Sequence, residues 1–581
     1  MKPIARISLS VAAAVVALTP ILGGRANGAT ITAGPGPSLT VVEPLTPSYT
    51  GGSTLATLYA YSGSPQAGFS TPVPISEPGD GPAAPDLAED VAGDALAVWS
   101  AARVYPARSG RLAYRLPRGI WYSRRPAGGS FLPPRQLVPP APEQSLALAA
   151  MNRTGEAAVA YETQGSIYVR RARANRDFGP AMLVTRGTLG YLGFGAAGEL
   201  LIVSSVNRPR VYQLQARFAA PSGKLGKAQT IGTLSSVSSE YLPGRFAVAM
   251  NAHGAAAIAW AEDFVFASYR KPRGRFGPTQ RLTPPIPRDS DARPALANVV
   301  MDERGRAIFG LGIFGGIIGM GYAETSSWNG RGAPSAPTRV GGTAAPEPGI
   351  SLADNGAGEA AAAYSEGFGA GAGVSFSSNG QPFGSPQKLV PGTCPATALL
   401  FERESCDGIP TLVGGPDRNF FTVLKLPVPV QHDTEVSGQM SEIRGLSRAG
   451  ATPSSYVSLP EPTLPEPRSD PASVVNVGAT TTVDARGRIH ARVQCGTDEG
   501  DCSVQMAVRE IEPRRLTLGR LNVQLGGFAE RPVAITLTRT GRRELARQRK
   551  LHVSLQTRTT GTYGPALETT YPLTLVGAHN G

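Results

Sequence analysis

The sequence predicts an all-β protein: a β-propeller of about seven blades, each of four antiparallel strands, followed by a small β-sandwich. Three observations lead there. Apolar residues show almost no sustained 3.6-residue period. The 70 glycines and 52 prolines are spread along all 581 residues, as many short strands joined by turns require. One framed heptapeptide also recurs at intervals of about 50 residues, the range of propellers and arrays.

The first 29 residues read as a processing signal. Lys2 and Arg6 precede an apolar run from Ile7 to Leu22, and small residues follow through Ala29. Pro20 interrupts the run, which is short for a bilayer span of about 20 residues. The expectation is cleavage near Ala26 to Ala29 and a mature protein that is extracellular or cell-surface associated, with no stable membrane insertion.

The repeat occupies residues 30–493. Its heptapeptides are FSTPVPI (69–75), FLPPRQL (131–137), FGPAMLV (178–184), LGKAQTI (225–231), FGPTQRL (276–282) and FGSPQKL (383–389). Anchors Phe131, Phe178, Leu225 and Phe276 lie 47, 47 and 51 apart, and a degenerate copy fits around Trp328 to Val340. Ahead of each anchor runs an Asx/Gly turn and a small-residue apolar strand: NRTGEAAVAYE (152–162), NAHGAAAIAWAE (251–262), DERGRAIFGL (302–311) and DNGAGEAAAAYSE (354–366). VAGDALAVWS (91–100) and DARGRIHARV (484–493) belong with them. Asn, Asp and Gly supply the backbone conformations of tight hairpins. The Ala/Val/Ile run after them fits a strand buried on both faces.

Each unit thus reads as two inner strands around the Asx/Gly turn and two outer ones. The basic stretch YRKPRGRFGPTQRL (269–282) then falls on an outer hairpin, with Lys271, Arg273 and Arg275 at a solvated tip. Trp99, Trp260, Tyr161 and Tyr364 end inner strands and read as packing between blades. The first element, 55–75, is an outer half-blade without an inner partner. The orphan hairpin at 479–493 is expected to complete it and close the ring, with 412–459 poorly marked and 451–473 a Pro/Ser-rich connector or long insertion. The alternative is that the hairpin belongs to the sandwich, the ring closing through 412–428 and the boundary lying near 450.

Residues 494–581 depart from the repeat and alternate as strands of an antiparallel sandwich. GRRELARQRK (541–550) reads as a helical turn or two connecting them. Cys394 and Cys406 lie twelve apart and Cys495 and Cys502 seven apart, so two local disulfides are the simplest pairing, in keeping with export. Neither spacing suits zinc.

The turn SSNGQPF (377–383), with Asn379-Gly380 and Phe383, resembles a degraded Asp-box of the secreted bacterial sialidase-like propellers. The C-terminal region is similar to immunoglobulin-like modules of exported bacterial proteins. The first resemblance covers roughly residues 55–493 and implies catalysis by an arginine triad, a Tyr–Glu pair and an Asp. None of these can be matched to positions here, so no catalytic residue is carried over.

Other chemistry is as sparse. GLGIFG (310–315) fits G-x-G-x-x-G but lacks the following helix. No Walker A or G-x-S-x-G pattern occurs. The histidines at 253, 432, 490, 552 and 579 are scattered, and Asp302, Asp354 and Asp484 read as turn formers before calcium ligands. Net charge is +13, or +10 without the leader, carried mostly by Arg. The expectation is a monomer without cofactor or metal, with no nucleic-acid partner and no designated binding residue. Its expected role is non-catalytic binding or scaffolding of an extracellular polysaccharide or protein. A sialidase-like hydrolase or lyase acting at the channel mouth is the alternative.

Overall fold

The computed structural model describes residues 30–33, 39–45, 56–77, 82–105, 114–141, 146–195, 198–208, 211–235, 246–284, 293–315, 320–341, 350–355, 358–365, 371–378, 380–391, 411–414, 420–427, 439–446, 457–460, 473–477, 480–495, 502–510, 516–526, 529–561 and 567–577. What those residues build follows from the Asx/Gly turn. In the third sheet, the Asn152 carboxamide oxygen accepts the backbone N–H of Thr154 at 3.0 Å and of Glu156 at 2.9 Å, and Gly155 takes the left-handed conformation with φ of 77°. The turn satisfies its own polar groups, so the chain reverses within five residues. The following strand, Ala157–Thr163, can then be buried on both faces.

Eight four-stranded antiparallel sheets, or blades, follow in chain order. Blade 1 is Thr30–Ala33, Leu39–Leu45 and Thr57–Ser64, with an outer strand broken into Gly68–Phe69 and Val73–Pro74. The innermost strands of blades 2 to 8 are Pro82–Glu89, Ala147–Met151, Thr188–Phe194, Phe246–Met250, Arg293–Met301, Ile350–Asp354 and Thr411–Gly414. Each innermost strand contacts the next, and that of blade 8 contacts that of blade 1, so the ring closes. Side chains join these strands across their free edges. The Thr30 hydroxyl donates to Pro85 O, and the Asp86 carboxylate accepts the Ala149 N–H. Ser351 Oγ accepts the Leu412 N–H.

Packing between blades supplies the core. Along Ala256–Ala261, Ala257, Ala259 and Ala261 face blade 6, while Ala256, Ile258 and Trp260 face blade 4. Small residues let the sheets approach, and some of the large rings lie against a glycine. A Cβ on Gly232 would come within 2.6 Å of the Trp260 ring. Trp99, Tyr161, Trp260 and Tyr364 are all buried in such inter-blade clusters.

Two expectations need correction. The blade count, about seven with six or eight open, is eight among the described residues, because the poorly marked 412–459 segment forms a sheet of its own, Thr411–Gly414, Phe420–Pro427, Gln439–Leu446 and Val457–Ser458. The half-blade at 55–75 has its inner strands in residues 30–45 and needs no help from 479–493. That hairpin pairs elsewhere, since Arg488–Cys495 runs antiparallel to Glu530–Thr536 and Thr480–Val483 runs parallel to Leu567–Gly577. The boundary set at 493/494 therefore moves to between Ser458 and Ser473. The physical reason is that an Asx/Gly turn reverses a chain equally well in any antiparallel setting.

The C-terminal strands form two sheets. One orders Ser473–Asn476, Arg488–Cys495 and Glu530–Thr536. The other orders Thr480–Val483, Leu567–Gly577, Lys550–Gly561, Cys502–Glu510 and Thr517–Leu525. Val493, Val504, Leu518, Ile535 and Leu575 share one core across both. A helix, α1 (Arg539–Gln548), links the sheets. The Thr538 hydroxyl caps it by accepting the Gly541 N–H at 3.1 Å, and left-handed Arg549 ends it.

Candidate functional site

Antiparallel order places the turns between strands 1 and 2, and between strands 3 and 4, at one end of the ring. At this end lengths barely vary. The first connection has five residues in seven blades and four in blade 7. The second has nine residues in blades 2 to 6, eight in blade 7 and ten in blade 8. At the opposite end the connections range from one residue, between Arg186 and Thr188, to nineteen, between Pro391 and Thr411. Length variation is confined to that end, where loops carry function without disturbing the ring.

The regular end is held by arginines whose role the sequence did not reveal. Arg270 closes the third strand of blade 5. It donates to Gly254 O at 2.6 Å, Gly274 O at 2.8 Å and both Glu199 oxygens at 2.8 and 3.0 Å, and it lies 3.9 Å from the Phe218 ring centre. Arg125 and Arg171 also end on carboxylates, Glu89 and Glu156, but of their own blades. The neighbouring Lys271, Arg273 and Arg275 are exposed, as the tip reading expects. In blades 5 and 6 a serine hydroxyl three positions before the tip is a second regularity, with Ser268 donating to Gly277 O and Ser326 to Ser335 O, each at 2.8 Å. Both signals are present in the sequence as Ser-x-[Arg/Trp] before the tip. They are hidden by the basic residues that follow.

Near the axis at the same end, Arg153 of blade 3 reaches Glu303 of blade 6 at 2.6 Å. His253 of blade 5 lies 3.2 Å from the other Glu303 oxygen. Blades 3 and 6 are not neighbours, so this ion pair crosses the ring. His253, one of the scattered histidines, is exposed and belongs to this bridge.

At the variable end the described residues gather one row of side chains across blade 5. In register lie Phe246, Trp260, Phe266 and Arg281, one from each strand. Trp260 stacks on Phe266 at 5.9 Å, and Phe264 meets Phe266 edge-on at 6.1 Å. The Arg281 guanidinium sits 4.9 Å from the Phe264 ring centre. Arg281 is exposed, and no ion pair or hydrogen bond engages its side chain among the described residues. A cation held over an aromatic face keeps its charge and gains orientation. Beneath the row, burial pushes the Tyr191 hydroxyl up to about 12, so it stays a neutral donor. On blade 6, burial also raises the Glu324 carboxyl, opposed by the Arg339 charge.

Of the paired cysteines, Cys502 is buried and disulfide-bonded, while Cys394 and Cys406 lie outside the described residues. Cys495 ends the strand Arg488–Cys495. GLGIFG lies within the strand Ala307–Gly315, with no helix following it. Asp302 and Asp484 form turns, as expected, whereas Asp354 ends the strand Ile350–Asp354 and Asn355 holds that turn by accepting the Glu359 N–H. His432 and His579 lie outside the described residues. Among the described residues no group of three or more His, Cys, Asp or Glu side chains could hold a metal ion.

No family profile and no curated protein matches the chain. Solved structures similar to it include prolyl oligopeptidase B from Galerina marginata (TM-score 0.36, 10% identity, 72% of this chain and 55% of that one). Others are a post-proline cleaving enzyme from Rickettsia typhi (TM-score 0.37, 7% identity, 72% and 58%) and an acylaminoacyl peptidase from Pyrococcus horikoshii (TM-score 0.34, 8% identity, 71% and 57%). The chain spans little more than half the length of these proteins. At such TM-scores the likeness carries no argument about activity. The expected function is corrected to this extent: the three proteins named are peptidases, and neither the non-catalytic binder of an extracellular polymer or protein nor the sialidase-like hydrolase is carried forward.

Proposed function

We propose that the variable end of the ring receives the carboxylate end of a short peptide, as the substrate-admitting face of peptide-directed chemistry. The observation that carries this is Arg281. It is an exposed guanidinium without an acidic partner among the described residues, oriented over Phe264 at the edge of an aromatic row. Guanidinium matches carboxylate in a planar, two-point contact, and the adjoining rings suit an apolar terminal side chain. Calorimetric titration of a short peptide ending in Phe, as free acid and as amide, tests it. The acid should bind at least about tenfold more tightly, the worth of one charge-assisted contact, and Arg281→Gln should erase that preference. Equal affinity of acid and amide would overturn the reading.

Three further features enter as proposals. Residues 1–29 are a cleaved export leader, and Cys394–Cys406 and Cys495–Cys502 are the disulfide pairs. The C-terminal unit is immunoglobulin-like, a reading supported by its two-sheet order and the parallel pairing of Thr480–Val483 with the last strand.

A further inference from the structure

Arginine is treated in two ways in this molecule. In the ring, Arg125, Arg171, Arg270 and Arg306 each end on a carboxylate and a backbone carbonyl. On α1 and the residues after it, Arg539, Arg542, Arg543, Arg547, Arg549 and Lys550 accompany a single acid, Glu544. Glu544 pairs with Arg547 at 2.6 Å, and the other five have no ion-pair partner among the described residues. All six are exposed. An arginine-rich composition explains the number of these residues but not why one set is neutralised and the other left bare.

The placement of two of them also runs against helix stability. Arg539 and Arg542 occupy the first turn, which contains no acid, where the helix dipole favours anions. The face continues onto the preceding hairpin, because Arg542 packs on Gly487, whose carbonyl accepts the Leu537 N–H at 2.9 Å. Arg486 is the exposed tip of that hairpin. Residues 473–581 hold +6 of the chain's +13 in under a fifth of its length.

We infer that this face docks electrostatically on an anionic phospholipid surface. The bare cations supply the charge complementarity, each contributing as a basic residue near an acidic leaflet does. The choice among anionic partners follows from what surrounds the charge. Binding single-stranded nucleic acid uses aromatic platforms between cations, and α1 carries no aromatic residue. A protein interface needs a buried apolar or aromatic anchor. Among the described residues the exposed large apolar ones, Val91, Leu132 and Leu183, are all in the ring. A cationic face with a single acid fits a diffuse plane of charge, held at the surface without insertion.

Cosedimentation of the full chain with vesicles tests this. The probes are phosphatidylcholine alone and phosphatidylcholine with about 30% phosphatidylglycerol, an acidic-leaflet mimic. Binding should require the anionic lipid and fall away between about 0.05 and 0.5 M salt as the Debye length shortens. The variant R539Q/R542Q/R543Q/K550Q should lose at least about tenfold in affinity for the anionic vesicles. Its circular dichroism melt should match the parent, which separates lost charge from lost folding. The control K271Q/R273Q/R275Q, which removes three ring-tip charges, should bind as the parent does. Equal binding to neutral vesicles would assign the contact to the apolar run from Ile7 to Leu22 and overturn the inference. So would equal losses in both variants, or tighter binding to duplex DNA or a sulfated glycan than to the vesicles at the same salt.

Discussion

Asp302-Glu-Arg-Gly-Arg306 and Asp484-Ala-Arg-Gly-Arg488 differ at one position and fold into the same turn. In each, the aspartate accepts the backbone N–H of the arginine four residues on, at 2.7 and 2.9 Å, and pairs with its side chain at 3.1 and 2.9 Å. Gly305 and Gly487 share the left-handed conformation, with φ of 81° and 74°. Yet one turn lies in blade 6 and the other joins the two C-terminal sheets. In the ring, Asn251 of blade 5 donates to Asp302 O at 2.9 Å, and the Tyr269 hydroxyl donates to Gly305 O at 2.6 Å. At the second turn, Asp484 is partly exposed and takes His490 at 2.9 Å. Local sequence decides that the chain reverses, and neighbours decide what the reversal is worth.

The two transitions can be read apart. All four tryptophans lie in the ring, so their fluorescence reports the ring, and amide exchange along Cys502–Glu510 reports the C-terminal sheets. The largest expected effect is from Asp302→Ala, which strands the Arg306 guanidinium in a buried setting. The ring should lose about 3 kcal/mol in urea unfolding. Asp484→Ala should cost the C-terminal unit clearly less, because water replaces the lost carboxylate. Comparable losses would erase the distinction between the turns.

Glycine substitution sharpens it next. Both Gly305→Ala and Gly487→Ala force a side chain into a left-handed position, at about 1 kcal/mol. A Cβ at 305 also comes within 2.9 Å of the Tyr269 hydroxyl, whereas at 487 it meets only the flexible Arg542 side chain. The ring variant should therefore lose about 2 kcal/mol and the other about half as much, by the same unfolding probes.

Smaller still is Glu303→Ala, which makes the ring turn read like its counterpart. Arg153 and His253 are more than half exposed, so losing the cross-ring pair should shift ring stability by no more than about 0.5 kcal/mol. The smallest signal is titrational. Hydrogen bonds from His490, then from the Arg488 and Arg486 groups, hold the Asp484 carboxyl well below the usual carboxylate range. A depressed carboxylate contributes stability above its unfolded pKa, about 3.9, and loses that contribution as pH falls through the folded value. NMR of its carboxyl carbon should show Asp484 still ionised at about pH 3, below that reference value. His490→Ala should move its titration upward. An unmoved midpoint would leave His490 without a role there.

This pair of turns also explains what could be read from sequence and what could not. The period around Phe131, Phe178, Leu225 and Phe276 places strands correctly because it rests on local turn chemistry and burial. Ring closure is tertiary, and the Asp484 turn has the same local signature as the blades. The hairpin it forms was therefore assigned to the ring. Blade 8 escaped because its strands Phe420–Pro427 and Gln439–Leu446 lack the Ala run and the anchor Phe. The cross-ring Arg153–Glu303 pair, 150 residues apart, leaves no sequence trace. Nor does the row ending at Arg281, since facing residues on four strands are fixed only by register.

Each blade is one uninterrupted stretch of chain, and the ring shuts by blade 8 lying against blade 1 with no strand exchanged. A nascent chain can therefore finish every blade before the next is made, with only the final seam waiting for blade 8. The same seam makes the numbering of the blades arbitrary. Joining Leu459 to Thr30 through a short linker and opening the chain at any blade boundary would give a circular permutant with all its internal pairings kept. The ring's start is thus a matter of gene order, while its shape is not.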